Sequence, residues 1–149
     1  MRVEYSTVID APVDKVWQII RVYAKSWDPE SPIKFELTKG SSDDQVGCNR
    51  TITLPDNGGV IVERLEALDD RNHRLCYSIV SAPFPCTGYV SEYQAWPVTD
   101  GNKTFVRWFS EFEPNKEGAE GFNFEAVFTG IYSGQLGSCK KLLANNKSI

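Results

Sequence analysis

Two charged residues stand where their strands should be apolar. In the segment CNRTITL, strict alternation puts Cys48, Arg50, Ile52 and Leu54 on one side and Asn49, Thr51 and Thr53 on the other. In IVERLEA, Ile61, Glu63, Leu65 and Ala67 share a side, while Arg64 and Glu66 point the opposite way. The residues PDNGG join the two segments, so they should form a hairpin. A turn centred between Asp56 and Asn57 sets Arg50 directly opposite Glu63; one centred on Asn57 and Gly58 makes them diagonal neighbours. Either register leaves both charges facing inward, and together. A lone buried charge is costly, so the two are expected to pair. Such a pair can be an internal salt bridge with no other role. It can also be a site, because a carboxylate in a dry cavity is pushed up by desolvation and down by the arginine, and can then remove or relay a proton. The guanidinium would hold an anionic group or a developing oxyanion.

The same alternation selects further inward-facing residues. Leu75, Tyr77 and Ile79 share one face of their strand, Tyr89, Ser91 and Tyr93 one face of the next, and Val106, Trp108, Ser110 and Phe112 one face of the last. Tyr93 could donate a hydrogen bond to a guest and Trp108 could shape an apolar wall, since each ring carries one polar handle. Nothing else in the chain competes for chemistry. It has no phosphate-binding loop, no G-x-G-x-x-G and no G-x-S-x-G, so no cofactor is expected. The cysteines Cys48, Cys76, Cys86 and Cys139 are widely spaced, and the single histidine, His73, lies in a turn and reads as solvated. No metal site is expected from that spacing; the cysteines read as small core residues.

The elements that must position these residues follow from periodicity. Residues 3–9 read as a strand. Pro12, Asp14 and the apolar spacing Val13, Val16, Trp17, Ile20 mark a helix of about three turns. SWDPESP is a loop or a broken short helix, because Pro29 and Pro32 forbid continuation. Strands then read near 33–39, 47–54, 60–69, 73–81, 89–98 and 103–113, with SAPFPCTG as a longer, stiffer loop. A final helix spans about 121–145 on the apolar row Phe124, Val127, Phe128, Ile131, Leu136, Cys139, Leu142 and Leu143. Gly130, Gly134 and Gly137 interrupt it, which suits close contact with the sheet or a frayed end, or else a helix that bends or leaves room for a guest. The economical arrangement is α+β: a seven-stranded antiparallel sheet with a helix laid across it.

Composition bounds the remainder. A chain of 149 residues with 41% hydrophobic content reads as one domain, 1–149, able to bury a core without staples. A net charge of −4 with no basic cluster argues against nucleic acid as a partner. No apolar run reaches the ~18 residues of a membrane span, so no membrane insertion is expected. The first residues lack a signal-peptide centre, which points to a cytoplasmic protein and gives the sequons at Asn49, Asn102 and Asn146 little meaning. No exposed apolar stripe demands a dimer, so a monomer or weak homodimer is expected.

This order of elements, with APVDKVW opening the first helix, resembles the START-like (SRPBCC) superfamily, the helix-grip fold of pollen allergens and polyketide cyclase/dehydrase proteins. The resemblance implies a curved sheet wrapped on a long C-terminal helix, with helices between strands one and two and a cavity for hydrophobic small molecules. The stretches VGCNR, ERLEALD and YVSEY, and the RW at 107–108, look closer still to the lachrymatory-factor synthase branch. There an arginine and a glutamate form the catalytic pair; they fall on Arg50 and Glu63, with Tyr93 and Trp108 on pocket positions. A pocket tyrosine of those synthases aligns with Ile79. The expected cavity lining is then Trp108, Tyr77, Ile79 and Tyr89 from the sheet, with Phe128 and Ile131 from the final helix. The function implied is a cofactor-free lyase, isomerase or cyclase reaction on a small apolar molecule, or non-catalytic carriage or sensing of a lipid-like metabolite.

Overall fold

The computed structural model describes residues 1–146; the last three positions of the expected 1–149 domain, including part of the Asn146 sequon, lie outside the described residues. The chain runs β1 (Arg2–Ile9), α1 (Val13–Ile20), β2 (Lys34–Leu37), β3 (Asn49–Thr53), β4 (Val60–Asp69), β5 (Arg74–Ser81), β6 (Cys86–Val98), β7 (Lys103–Pro114) and α2 (Phe124–Asn146). The strands form one antiparallel sheet in the order β1-β7-β6-β5-β4-β3-β2, with α2 packed over its apolar face. One helix stands between β1 and β2 where more were expected. Residues 21–33 run as turns, because Pro29 and Pro32 each withhold the N–H that a helix would use.

The hairpin between β3 and β4 takes the tighter of the two registers. Asp56 and Asn57 occupy left-handed backbone at φ 56° and 59°, and the Gly58 N–H donates to the Pro55 carbonyl at 3.0 Å. That is a type I′ turn, which Asx residues tolerate and whose twist matches the strands. It sets Arg50 directly opposite Glu63. β6 begins at Cys86, inside the stretch read as loop, because Cys86 and Thr87 pair with Pro114 and Glu113 at the end of β7, ahead of a register shift before Val90. Gly88, at φ 64°, supplies the backbone conformation that shift needs.

Helix α1 buries Val16, Trp17 and Ile20 and is latched to the turn after β4. The Trp17 Nε1–H and the Arg21 Nε–H both donate to Asp70 Oδ1 at 2.8 Å, and an Arg21 terminal N–H reaches Oδ2 at 3.1 Å. His73 is half-buried beside Trp17, ring centroids 5.6 Å apart, so it is less solvated than its turn position implied. Arg21, and after it Trp17, hold the Asp70 carboxyl below its ordinary value. A carboxyl depressed by folding stabilises the fold above its unfolded value and loses that effect as pH falls through its folded one. Thermal midpoints of wild type and Asp70→Asn should therefore differ at neutral pH and converge below pH about 3.8. A difference that persists in acid would overturn this.

On α2 the buried row is Phe124, Phe128, Tyr132, Leu136, Cys139 and Leu143. The buried face is turned from the one read from the sequence: Tyr132 points inward, while Ile131 is 39% exposed. The helix glycines do not make close contacts, since a methyl group built at Gly130, Gly134 or Gly137 would meet no atom within 4 Å.

Candidate functional site

Between the sheet and α2 lies a cavity of about 270 Å³. Every site residue named from the sequence is on its wall: Arg50, Glu63, Tyr77, Ile79, Tyr89, Tyr93 and Trp108 from the sheet, Phe128 and Ile131 from the helix. Ile131 sits at the exposed rim. Gly130 and Gly134 also line it, at its rim, where both are exposed.

Arg50 and Glu63 are 8% and 6% exposed in this apolar wall. The Arg50 Nε–H donates to Glu63 Oε2 at 2.7 Å, and the NH2 group lies 2.5 Å from the same oxygen. The remaining terminal nitrogen donates to the Tyr23 carbonyl at 2.9 Å, and the guanidinium lies 4.1 Å from the centre of the Tyr23 ring. Three directions are thus fixed: a side-on carboxylate, a carbonyl and a ring face. Burial is the largest single influence and works against the Arg50 charge, yet the Glu63 carboxylate together with Tyr23, Tyr93 and Tyr77 outweighs it and holds the guanidinium above its ordinary value. Both bonds fall on Oε2, and Glu63 Oε1 takes no protein hydrogen bond among the described residues.

Tyr93 was expected to donate to a guest, and here its proton is committed elsewhere. Its hydroxyl donates to the Ile20 carbonyl at 2.7 Å, at the end of α1. The ring remains in the wall, 4.8 Å from Trp108 and edge-on to Trp27 at 5.6 Å. Burial raises the phenols of Tyr77, Tyr89 and Tyr132, which keeps them protonated donors. Sequence reasoning missed Trp27 and Phe35 in the lining and Tyr23 behind Arg50. Phe35 was within reach, because it pairs with Ile52 and shares its face. Trp27 and Tyr23 lie in irregular backbone, where no period selects a face.

No curated protein matches the chain. The family model described as "Polyketide cyclase / dehydrase and lipid transport" matches residues 1–144, so the chain belongs to that family and carries its helix-grip fold. Among solved structures it is similar to the protein XoxI from Bacillus cereus, at 29% identity and a TM-score of 0.78 over 98% of this chain and 97% of that one. An uncharacterised protein from Bacillus thuringiensis matches at 29% identity and a TM-score of 0.75, over 95% and 98%. Norcoclaurine synthase from Thalictrum flavum matches at 14% identity and a TM-score of 0.78, over 96% and 92%; at that identity the likeness speaks for the fold alone.

Proposed function

We propose that this domain binds a small hydrophobic molecule between the sheet and α2 and performs a cofactor-free proton transfer on it, of lyase, isomerase or cyclase type. Glu63 acts as the base, and Arg50 holds the carboxylate in place and faces the negative charge that develops. The observation that carries this reading is the one-sided pair: Arg50 occupies Oε2 and leaves Oε1 without a protein donor on the wall of a cavity. A proton leaving the substrate bonds to Oε1, its electron pair stays on the substrate, and the proton returns at another position or departs with a leaving group. Membership of the cyclase/dehydrase family supports chemistry of this kind. The motifs VGCNR and ERLEALD, which resemble stretches of the lachrymatory-factor synthase branch, support the same two residues. No helix among the described residues is long and apolar enough to cross a membrane, which supports a cytoplasmic protein meeting its ligand in solution.

Deuterium uptake at the α-carbon of 2-indanone tests proton transfer without knowledge of the natural substrate. Wild type should accelerate exchange, and Glu63→Gln should slow it by about 10²–10⁴-fold, the usual worth of a positioned base. The variant's dissociation constant for 2-indanone should change less than about threefold, because glutamine keeps the shape of the wall. If wild type binds 2-indanone and exchange does not exceed the rate in buffer, the proton-transfer reading is overturned. The protein would then be a carrier, with Glu63 orienting Arg50 toward the guest.

A further inference from the structure

The charges on the cavity wall stand at two depths. Inside, Arg50 and Glu63 are buried and neutralise each other. Lys25 lines the same cavity but is exposed, so it stands at the opening. Among the described residues no other charged side chain is on the lining, and the net charge that a guest meets is therefore that of Lys25.

Its neighbours put Lys25 there. Tyr23 is buried and its carbonyl accepts from Arg50 at 2.9 Å, while Trp27 is buried with its ring against Tyr93 and Trp108. The chain is thus pinned two residues before Lys25 and two residues after it, which fixes that lysine at the rim. Its side chain makes no ion pair or hydrogen bond among the described residues. The acidic residues that follow in the loop do not serve it. Asp28 and Glu30 line a separate hollow against α2, together with Ser138 and Lys141, and the Asp28 carboxylate accepts from the Glu30 N–H at 2.9 Å.

We propose that Lys25 is a specificity residue for the outer end of the guest, and that the guest is a compact apolar acid whose carboxylate stays at the opening. The proposal rests on the cavity reading above, but not on its catalytic step. A carboxylate carried in to Arg50 would meet Glu63 at the same contact and would lose its water, two costs that the rim avoids. A single ammonium calls for a monoanion. Gln135, from α2 on the same lining, adds an amide donor without adding charge. Between the rim and the inner pair the wall is apolar, with Trp27, Ile33 and Phe35 among its side chains, which suits a hydrophobic body. Holding the charge outside also orients the guest, since its apolar end is then the one that reaches Glu63.

The test is titration at neutral pH of 2-naphthylacetate and of 2-naphthylacetamide, which has nearly the same shape without the charge. Wild type should favour the anion by about threefold, as an exposed ion pair does. Lys25→Gln should bring the ratio to about one, and Lys25→Glu should reverse it by about threefold. Lys141→Gln removes a like charge from the neighbouring hollow and should keep the wild-type ratio. In about 0.5 M KCl the wild-type preference should shrink toward one. An anion preference that survives Lys25→Gln would put the carboxylate at Arg50, and an equal loss in Lys141→Gln would reduce the effect to overall charge. Either result overturns the proposal, as does a wild type that binds both compounds alike. If neither compound binds wild type, the cavity reading itself fails and takes this proposal with it.

Discussion

Glu63→Ala should lower folding stability by about 3–5 kcal/mol, because it strands Arg50 as an unmatched charge in an apolar wall. The double variant Arg50→Met/Glu63→Leu should recover most of that loss, since buried ion pairs stabilise little more than apolar pairs of similar volume. Recovery will fall short in one respect. Arg50 also donates to the Tyr23 carbonyl, and removing it leaves that carbonyl without the donor, a deficit of about 1–3 kcal/mol if water cannot replace it. Denaturant midpoints of wild type, the single and the double variant measure all three quantities. A double variant no more stable than Glu63→Ala would mean that the polar pair is itself the better filling for this wall.

Gly134→Leu should weaken ligand binding while leaving the fold intact. Gly134 is exposed at the rim of the cavity, and the first carbon of a side chain there meets nothing within 4 Å, so a leucyl group is free to fold across the opening. A leucyl group across the mouth of a cavity of about 270 Å³ obstructs the guest, and affinity should drop by about tenfold, the equivalent of ~1.4 kcal/mol. Stability should rise rather than fall, by up to about 1 kcal/mol, because a mid-helix glycine gives way to a good helix former. Gly134→Ala separates the two effects: it should gain most of the helix stability and keep ligand binding. Titration with 2-indanone and thermal unfolding read both. Unchanged binding in Gly134→Leu would place the guest away from the helix roof.

The parts of this site that were legible in the sequence are those governed by short-range rules. The Arg50 and Glu63 pairing needs only a period of two and a turn that Asp56 and Asn57 can form, both local properties. The face of α2 was half legible. Phe124, Phe128, Tyr132 and Leu136 stand four residues apart in one row, and choosing Ile131 over Tyr132 favoured hydropathy over spacing. The destination of the Tyr93 proton was not legible, because its acceptor, Ile20, is 73 residues away and reachable only once α1 is docked. Tyr23 and Trp27 were hidden for a related reason: their segment is held by tertiary contacts such as the Arg50 N–H to the Tyr23 carbonyl and the Trp27 ring beside Trp108, which leave no pattern in the chain.

The type I′ hairpin also bears on the order in which this protein assembles. Arg50 and Glu63 are only 13 residues apart, so their encounter costs little loop entropy and can come early. What surrounds them comes from outside the hairpin: the rings of Tyr23, Phe35 and Tyr77 flank the guanidinium, and Phe128 closes the cavity from α2, the last of the described elements. The two charges therefore find each other while still hydrated, and water is expelled from around a pair already made. Neither charge has to cross into the interior alone.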